Sequence, residues 1–488
     1  MKIPKCMSTQ HPDNVTIPFF ASNSELGGED EVHEAYYAFS HLGCDEQMWD
    51  CEGKEVDSFV VRKLLTKYEA FFRERRLGRD LFLTLRVPNP LVERAEAKAL
   101  VEALDGIPRS FDAARLFYGD DLPPIFEVIL PMTTSARCLN HLYEYYRLFV
   151  AGKQYQPLGE EGDITVGEWI GEFKPERINV IPLIEDMEHM LDAHRIVGDY
   201  LKGKRPTYQR VFLARSDPAL NYGLVSAVLL NKIALQRLYS LSQEIGVKIY
   251  PIVGVGSAPF RGNLRPPMVE RVLREYPSVH TFTIQSAFKY DYPPEEVRVA
   301  IEKLKRREAA APQEVDEERA LELIRRYAAE YQKQVTALAS LINSVAKYVP
   351  SRRKRKLHIG LFGYPRNFGE VKLPRAIGFT ASLYSIGLPP ELMGLDALTP
   401  EDRDFLKEVY VNFEVDLREA LRYFNPRSLS LLRNRFAPSF SHLGLEPDGV
   451  DEEHQEITDY IIEKLREGEN ESIAEPLLRA AYRRRFLG

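Results

Sequence analysis

The segment CMSTQHPDN, residues 6–14, places a histidine among hydroxyl and carboxyl side chains close to the start of the chain. A histidine such as His11 takes up and releases protons near neutral pH, and here it stands beside Thr9 and Asp13. The same residues would also form an exposed turn, because Pro and Asn favour turns and chain ends are usually poorly ordered unless held. The segment therefore predicts either a turn or a proton-transfer group.

Two carboxylates follow apolar segments further along the chain. Glu185 ends INVIPLIE, and Asp217 ends VFLARSD. Two carboxylates, completed by water and a substrate oxygen, suit a hard divalent cation such as Mg²⁺ or Mn²⁺. Both residues also have structural interpretations, since Asp217 before Pro218 fits a helix N-cap and Glu185 would meet the dipole of a following helix. The two interpretations are compatible, and both stay open.

Several arginines stand where an anion could bind. The loop GVGSAPFRGNLR, residues 254–265, offers small residues, backbone N–H groups and Arg261, which favours a phosphate-binding loop over a plain turn. It is not a dinucleotide fingerprint, because Pro259 stands where that motif needs glycine or alanine. Arg86, which ends LFLTLR, and Arg366, in GYPRNFG, each form a structural salt bridge or face an anionic ligand. Together these residues indicate a small substrate rich in negative charge, such as a phosphorylated carboxylate.

The segment HLGCDEQMWDCEGKEVD, residues 41–57, collects charged side chains around a tryptophan. Trp49, Asp50, Glu52 and Lys54 either form an ion-pair cluster around a buried indole or belong to an active-site loop. The sequence leaves both alternatives open.

Short, continuously apolar runs alternate with segments of helical periodicity. Continuous apolar character predicts strands buried on both faces, hence a mostly parallel sheet. The predicted strands are residues 81–86, 125–130, 178–184, 210–215, 247–254, 279–284 and 357–362, with a weaker eighth at 46–49. This alternation predicts a (β/α)₈ barrel with extensive additional helices, the alternative being an open doubly wound sheet.

In a parallel barrel the carboxyl ends of the strands meet on one face, where barrel enzymes place their chemistry. The residues expected on that face include Arg86, Glu185, Arg215, Asp217, Arg261, Gln285 and Arg366. We expect residues 1–488 to form one elaborated barrel, with the strands and active-site loops within about residues 1–363 and a mostly helical part from about 364 to 488.

Two helices stand out. Start and stop signals predict one helix from Pro218 to Gly246, and apolar spacing predicts a long helix from Glu317 to Tyr348. The long helix either covers the barrel or forms a subunit contact, with Ile324 to Val345 as the possible contact face.

Composition limits the classes of function. The chain has 44% hydrophobic residues, a net charge of -7 and four cysteines without a Cys-x-x-Cys pair. These values predict a globular protein of a reducing compartment, without a disulfide framework, a structural zinc site or a nucleic-acid partner. The basic run SRRKRK, residues 351–356, is interpreted as a solvated loop rather than a polyanion site. Because polar residues such as Asn231 interrupt the longest apolar run, we expect no membrane span and a cytoplasmic location.

Taken together, these motifs resemble phosphoenolpyruvate carboxylase, in the short form described from archaea and some bacteria, from STQHPDN to the terminal RRRFLG. TQHPD is similar to that family's Thr-Ala-His-Pro-Thr segment, VIPLIE to Val-Val-Pro-Leu-Phe-Glu, and ARSDPALNYG to Tyr-Ser-Asp-Ser-x-Lys-Asp-Ala-Gly. FRGNL resembles the second half of its arginine-glycine loop, and LTLRV its arginine-bearing strand. KLPRAIGFTASLYSIGLPPELMGL is similar to its Leu-Arg-Ala-Ile and Leu-Pro-x-x-Leu-Gly segments.

The resemblance implies a reaction of phosphoenolpyruvate with bicarbonate to give oxaloacetate and phosphate, through carboxyphosphate and a metal-stabilised enolate. It implies a homotetramer that uses Mg²⁺ or Mn²⁺. The predicted roles are catalysis for His11, Arg86 and Arg261, substrate binding for Arg86, Arg261, Arg366 and Gln285, and metal binding for Glu185 and Asp217.

The chain also departs from the longer enzymes of the family. Val253 and Val255 stand where a histidine and an arginine of their loop would be, and residues 485–488 replace a Gln-Asn-Thr-Gly ending. Two alternative functions stay open: a metal-dependent carbon–carbon lyase or aldolase of the pyruvate-enolate type, and a non-catalytic barrel that senses a ligand.

Overall fold

The computed structural model describes residues 2–52, 57–94, 97–159, 164–354, 367–368, 371–432, 440–446 and 449–488. The strands, in chain order, are β1 (Cys6–Ser8), β2 (Glu46–Asp50), β3 (Phe82–Arg86), β4 (Glu127–Leu130), β5 (Pro157–Leu158), β6 (Ile164–Thr165), β7 (Asn179–Ile184), β8 (Tyr208–Ala214), β9 (Lys248–Gly254), β10 (Thr281–Ile284), β11 (Asn367–Phe368) and β12 (Val371–Lys372). The pairs β5–β6 and β11–β12 are small antiparallel hairpins outside the main sheet.

The other eight strands form a closed barrel. Their order around the barrel is β1, β10, β9, β8, β7, β4, β3 and β2, and β2 pairs with β1 again. Every neighbouring pair is parallel. The predicted (β/α)₈ barrel is therefore confirmed, and the alternative of an open doubly wound sheet is wrong.

The strand predictions were correct for β2, β3, β4, β7, β8, β9 and β10, with ends shifted by one or two residues. The sequence analysis missed β1, Cys6–Ser8, because three residues are too short to show a strand periodicity. This strand closes the barrel, with Ser8 in register with Ile284 on one side and Gln47 on the other. The predicted strand at 357–362 lies outside the described residues.

The barrel interior is filled in layers, as small parallel barrels require. Near the amino ends of the strands, the buried Arg210 forms ion pairs with Glu46 and Glu127 at 2.7 Å. Above this ion-pair layer lies an apolar layer. That layer consists of Met7, Met48, Ile129, Ile181, Leu183, Phe212, Ala214 and Ile252. The interior of the barrel is thus a packed core rather than a channel.

Helices surround the barrel and form most of the chain after β10. They are α1 (Glu29–Tyr37), α2 (Val60–Lys67), α3 (Glu69–Glu74), α4 (Ala97–Tyr118), α5 (Ala136–Tyr145), α6 (Val166–Ile170), α7 (Met187–Leu191), α8 (Ala193–Leu201), α9 (Ser216–Tyr222), α10 (Leu224–Ile245), α11 (Val269–Glu275), α12 (Ser286–Tyr290), α13 (Pro294–Arg306), α14 (Glu317–Ala346), α15 (Ala376–Ser385), α16 (Pro400–Val409), α17 (Phe413–Leu421), α18 (Glu452–Glu467) and α19 (Ala474–Arg484). No helix of the described ranges is long and apolar enough to cross a membrane.

The helix predicted from Pro218 to Gly246 is in fact two helices, α9 and α10. They are separated at Gly223, whose φ of +83° suits glycine. A β-carbon on Gly223 would lie 2.6 Å from a ring carbon of Tyr327 on α14, so the break lets α14 pack closely. The sequence analysis missed this break because the tyrosine that requires it is about a hundred positions away.

The long helix α14 covers the barrel with its apolar side. The apolar residues between Ile324 and Val345 were predicted as a possible subunit contact. They are buried within the chain itself. The hydroxyl groups of Tyr327 and Tyr331 donate hydrogen bonds to the carbonyl oxygens of Met393 and Leu220 at 2.9 and 2.8 Å. This apolar face is therefore not available for an oligomer contact, because it holds the C-terminal helices on the barrel.

Candidate active site

A cavity of about 240 Å³ opens at the carboxyl ends of the barrel strands. Its floor includes Leu183, Phe212 and Ala214, which belong to the apolar layer of the barrel. The cavity is lined by six of the seven residues that the sequence analysis predicted for the site: His11, Arg86, Glu185, Asp217, Arg261 and Gln285. The seventh, Arg366, lies outside the described residues.

The two predicted metal-binding carboxylates lie at the ends of neighbouring strands. Glu185 directly follows β7 and is buried, and its Oε2 accepts a hydrogen bond from the backbone N–H of Met132 at 2.6 Å. Burial raises the pKa of Glu185 well above its ordinary value, and the negative charges of Asp217 and Glu52 raise this pKa further. The charges of the two carboxylates thus oppose each other, an arrangement that a bound cation stabilises.

The structure also tests the N-cap interpretation of Asp217. Asp217 lies within the first turn of α9, and the position before the helix is occupied by Arg215, so the N-cap interpretation of Asp217 is wrong. Glu185 directly precedes Asp186, which caps α7 by accepting the N–H of His189, so the dipole interpretation of Glu185 stays open.

The donor set fits a hard divalent cation. Carboxylate oxygens are preferred ligands of Mg²⁺ and Mn²⁺, which commonly take only one or two protein carboxylates and complete their shell with water and substrate oxygens. Among the described residues, no group of three or more His, Cys, Asp or Glu side chains is arranged to hold a metal. Glu185 and Asp217 could provide two such carboxylate ligands.

His11 reaches the cavity from the segment after β1. Its carbonyl oxygen accepts the N–H of Ser286 at 3.1 Å, which fixes the segment to the start of α12. Its Nδ1 lies 3.0 Å from the Thr9 hydroxyl oxygen, and that hydroxyl lies 3.2 Å from the carbonyl oxygen of Ile284. His11 therefore belongs to an ordered, half-buried segment, and the exposed-turn interpretation of this segment is wrong.

Asp13, two residues after His11, is fully buried and connects three parts of the site. Its Oδ1 accepts the N–H of Ala287 at 2.7 Å. Its Oδ2 accepts the N–H of Ser257 at 3.2 Å and lies 3.4 Å from Nη1 of Arg261. One carboxylate thus ties the histidine segment to α12 and to the arginine loop.

Arg86 fits both interpretations that the sequence left open for it. Its Nε and Nη2 donate to the two oxygens of Asp50 at 2.9 and 2.7 Å, and Glu52 lies 3.1 Å from Nη2. Asp50 and Arg86 are in register on adjacent strands, so the sheet itself sets this pair. Trp49 beside them is buried, so the described part of residues 41–57 is an ion-pair cluster next to a buried indole, and it contacts the site through Arg86.

Arg261 is buried at the tip of the loop after β9. Its Nη2 donates to Oε1 of Gln285 at 2.6 Å, and its Nη1 donates to the main-chain oxygen of Gly488 at 2.6 Å. The loop leaves little space around the guanidinium, since a β-carbon on Gly256 would lie 2.7 Å from its Cζ. Gln285 is therefore in the site and contacts the side chain predicted to bind substrate.

Four further arginines also line the cavity, namely Arg215, Arg352, Arg353 and Arg375. None of these four is among the seven residues that were predicted for the site. Arg375 was detectable, because it is the arginine of LPRAI, a segment that resembles the family's Leu-Arg-Ala-Ile. Val253 and Val255, at the positions of the longer enzymes' histidine and arginine, are buried and are not among the described residues that line the cavity.

The interpretation of SRRKRK as a solvated loop is wrong for its first two arginines, Arg352 and Arg353. Arg353 is buried and forms ion pairs with Glu31 and Glu34 at 2.8 and 2.9 Å, and Arg352 donates to the carbonyl oxygen of Val15 at 3.0 Å. Their partners are more than 300 positions away in the sequence, so a local charge pattern could not show them.

The fold and the site define a class of protein: a closed parallel barrel whose carboxyl-end cavity combines two carboxylates, a histidine and several arginines, as metal-assisted enzymes acting on small anions do. The sequence profile described as phosphoenolpyruvate carboxylase matches residues 3–488. The chain belongs to the phosphoenolpyruvate carboxylase family, whose members are carboxy-lyases.

Curated relatives match along the whole chain. The chain is 59% identical over 488 residues to the phosphoenolpyruvate carboxylase of Methanothermobacter thermautotrophicus, with all of both chains covered. It is 57% identical over 492 residues to that of Methanospirillum hungatei JF-1, again with all of both chains covered. Against that of Pyrococcus abyssi it is 57% identical over 427 residues, which cover 87% of this chain and 89% of the relative.

Solved structures give weaker similarities. An HpcH/HpaI aldolase from Desulfitobacterium hafniense DCB-2 has a TM-score of 0.33 and 15% identity, covering 58% of this chain and 86% of its own. A malate synthase of Haloferax volcanii, in a magnesium and glyoxylate complex, has a TM-score of 0.38 and 13% identity, covering 66% of this chain and 80% of its own. The barrel assignment rests on the strand pairing of this chain rather than on these scores.

Proposed function

We propose that this protein carboxylates phosphoenolpyruvate with bicarbonate to give oxaloacetate and inorganic phosphate, and that it requires Mg²⁺ or Mn²⁺. The observation that carries this proposal is the gathering of His11, Glu185, Asp217 and Arg261 in one small cavity at the carboxyl end of the barrel. Membership of the carboxylase family supports the choice of reaction.

The arginines suit the first step. Phosphoenolpyruvate carries a phosphate and a carboxylate, and Arg86 and Arg261 offer planar guanidinium donors that match both groups. Bicarbonate attacks phosphorus, the bond from phosphorus to the enol oxygen breaks, and carboxyphosphate and the enolate of pyruvate form. Glu185 and Asp217 would hold a divalent cation, whose positive charge would offset the negative charge developing on the substrate oxygens.

His11 suits the proton transfer that follows. The Thr9 hydroxyl donates to the carbonyl oxygen of Ile284, so its oxygen accepts from Nδ1–H of His11. The proton therefore sits on Nδ1, and Nε2 is the nitrogen that can act as a base. Nε2 takes the proton from the carboxyl group of carboxyphosphate, and the carbon–oxygen bond to phosphate then breaks and releases CO₂. The carbon of the enolate attacks CO₂ and forms the new carbon–carbon bond.

The cavity also limits access of water to the enolate. Its floor is apolar, and Pro12, Ile377 and Leu487 line it together with the charged groups. Protonation of the enolate by water would give pyruvate instead of oxaloacetate, so an enclosed site favours capture of CO₂.

A coupled assay tests the proposal. Purified protein with phosphoenolpyruvate, bicarbonate and Mg²⁺ should release oxaloacetate and phosphate in equal amounts, and chelation should stop both. A lyase or aldolase would release no phosphate, and a ligand sensor would form neither product. Either result would refute the carboxylase proposal.

The histidine variant separates binding from catalysis. His11→Asn should lose oxaloacetate formation by about two to four orders of magnitude, the range of general acid–base catalysis, and keep substrate and metal binding. His442→Asn is the control, because His442 is exposed and contacts the carbonyl oxygen of Leu398 away from the cavity. Homotetramer formation and a cytoplasmic location stay predictions, the first of which light scattering would check.

A further inference from the structure

The turn that carries Arg261 is held from both sides at the preceding residue, Phe260. The carbonyl oxygen of Phe260 accepts a hydrogen bond from Nη1 of Arg215 at 3.1 Å. Its backbone N–H donates to Oε1 of Glu391 at 2.6 Å. Glu391 is fully buried and comes from the turn Pro390–Leu392, 131 positions further along the chain. It does not line the cavity described above.

We propose that Glu391 is a positioning residue for the anion-binding site, which holds the turn Pro259–Arg261 so that the Arg261 guanidinium faces the substrate. This inference rests on the proposed function of Arg261. The hydroxyl of Tyr384 donates to the same Oε1 at 2.7 Å and fixes the carboxyl group in place. The contact therefore joins the C-terminal helical part to the barrel at the site.

The packing around Arg261 explains why a small shift of the turn matters. The N–H of Gly256 donates to the carbonyl oxygen of Arg261 at 2.8 Å, and Gly256 leaves no space for a β-carbon beside the guanidinium. Gly262, directly after Arg261, has a φ of +123°, a conformation that favours glycine. A turn that loses its anchor at Phe260 would therefore move the guanidinium relative to its partner Gln285.

Only one oxygen of Glu391 is needed for this contact. Oε1 accepts from both Phe260 and Tyr384, and Oε2 has no hydrogen-bond partner among the described residues. Burial raises the pKa of Glu391 to about 7, so near neutral pH the carboxyl group can carry a proton and still accept through the other oxygen. An amide offers the same acceptor, and Gln should therefore replace Glu391 without loss.

A double-mutant cycle with Arg261 tests the proposal. Glu391→Leu leaves the buried N–H of Phe260 without an acceptor, and should lower kcat/KM for phosphoenolpyruvate by about tenfold to a hundredfold, chiefly through KM. Glu391→Gln should stay within about twofold of the wild type. In an Arg261→Ala background, Glu391→Leu should cause no further loss beyond about twofold, because its effect passes through Arg261.

Three results would overturn the proposal. They are a loss with Glu391→Gln as large as with Glu391→Leu, an undiminished loss in the Arg261→Ala background, and an equal loss with the control Asp451→Ala. Asp451 is also buried and accepts a backbone N–H, that of His454 at 3.0 Å, but lies at the start of α18 away from the cavity. If Glu391→Leu does not fold, Glu391→Asp takes its place, since the shorter side chain withdraws the acceptor from Phe260.

A second measurement separates failure of this proposal from failure of the proposed function. If the wild type forms no oxaloacetate, the carboxylase proposal is refuted, and the same cycle is then measured as binding of inorganic phosphate by calorimetry. Weaker phosphate binding by Glu391→Leu only when Arg261 is present would support the positioning role. Equal weakening in both backgrounds would refute it.

Discussion

Replacing Asp13 by asparagine should be as damaging as removing its side chain, although the two side chains have the same shape. Both oxygens of Asp13 accept hydrogen bonds: Oδ1 from Ala287, and Oδ2 from Ser257 and Arg261. In Asp13→Asn, the amide oxygen can accept hydrogen bonds at only one of these two oxygen positions. The amide N–H₂ must then face either Ala287 or the pair of Ser257 and Arg261, and a donor would meet a donor.

The size of the effect follows from the buried ion pair. Burial lowers the pKa of Arg261, and the charge of Asp13 opposes this shift, so Asp13 stabilises the charged guanidinium. Removing one partner of a buried ion pair typically costs about 3–5 kcal/mol, because the other charge stays buried without compensation. At about 1.4 kcal/mol for each factor of ten, we expect kcat/KM to fall by about a hundredfold to several thousandfold.

Steady-state kinetics with phosphoenolpyruvate, together with thermal unfolding, would measure this effect. Asp451→Asn is the matched control, since Asp451 is buried and its two oxygens accept from His454 and Arg483, away from the cavity. The control should lower the unfolding temperature and leave kcat/KM near that of the wild type. An Asp13→Asn protein with wild-type kcat/KM, or one that changes only in stability, would refute this account of Asp13.

Three further predictions follow from contacts in and beside the cavity. Gly256→Ala should lower kcat/KM by about tenfold or more with the fold intact, because its β-carbon would lie 2.7 Å from Cζ of Arg261; circular dichroism and kinetics would check this. Mn²⁺ binding to the metal-free protein should tighten as the pH rises, by up to about tenfold per pH unit. Burial raises the pKa of Glu185, so this carboxyl group must lose a proton when it binds the metal. Calorimetry in two buffers should detect the released proton, and binding that does not depend on pH would contradict this prediction. Burial opposes the ionisation of Glu34, but the charges of Arg353 and of a buried lysine hold its pKa at about 2, below the ordinary 4.5. Ionised Glu34 should contribute about 3 kcal/mol to the free energy of unfolding above pH 4.5, and this contribution should be lost as the pH falls toward 2. Urea unfolding of the wild type and of Glu34→Gln should therefore show a stability difference that shrinks on acidification. A constant difference would contradict this prediction.

The sequence could predict the barrel because its signal is local. Each long barrel strand is a continuous apolar run, and a polar residue directly after it must reach the carboxyl-end face. This rule was enough to predict that Glu185, Asp217 and Gln285, which follow separate strands, lie on one face, and all three line the cavity. It failed for Cys6–Ser8, a strand too short to show a pattern.

The rest of the site depends on partners far apart in the chain. Asp13 appeared in the sequence only as part of a turn, and its role depends on Ser257 and Ala287, more than 240 positions away. Arg353 appeared as a solvated basic residue because Glu31 and Glu34 are separated from it by more than 300 positions. A charge pattern in a sequence shows which side chains can pair, and the packing of distant segments decides which ones do.

The arrangement of the cavity arginines indicates how the site is prepared for an anion. Arg86 is held by Asp50 and Arg261 by Asp13, each through a carboxylate buried behind it. These pairs lower the net positive charge of the cavity, and they also fix the orientation of each guanidinium before substrate binds. Donors that are already oriented need no reorganisation when charge develops on the substrate, which is the main source of electrostatic stabilisation in enzymes.

The same reasoning predicts opposite results for two similar substitutions. Asp13 uses both oxygens, one of them for a charged partner, so an amide cannot replace it. Glu391 uses one oxygen, for Phe260 and a tyrosine hydroxyl, so an amide can. Because both carboxylates are fully buried and both act on the arginine loop, burial and proximity alone would predict equal effects. A large loss in Asp13→Asn beside a near-normal Glu391→Gln would therefore show that the number of donors at each oxygen decides the outcome.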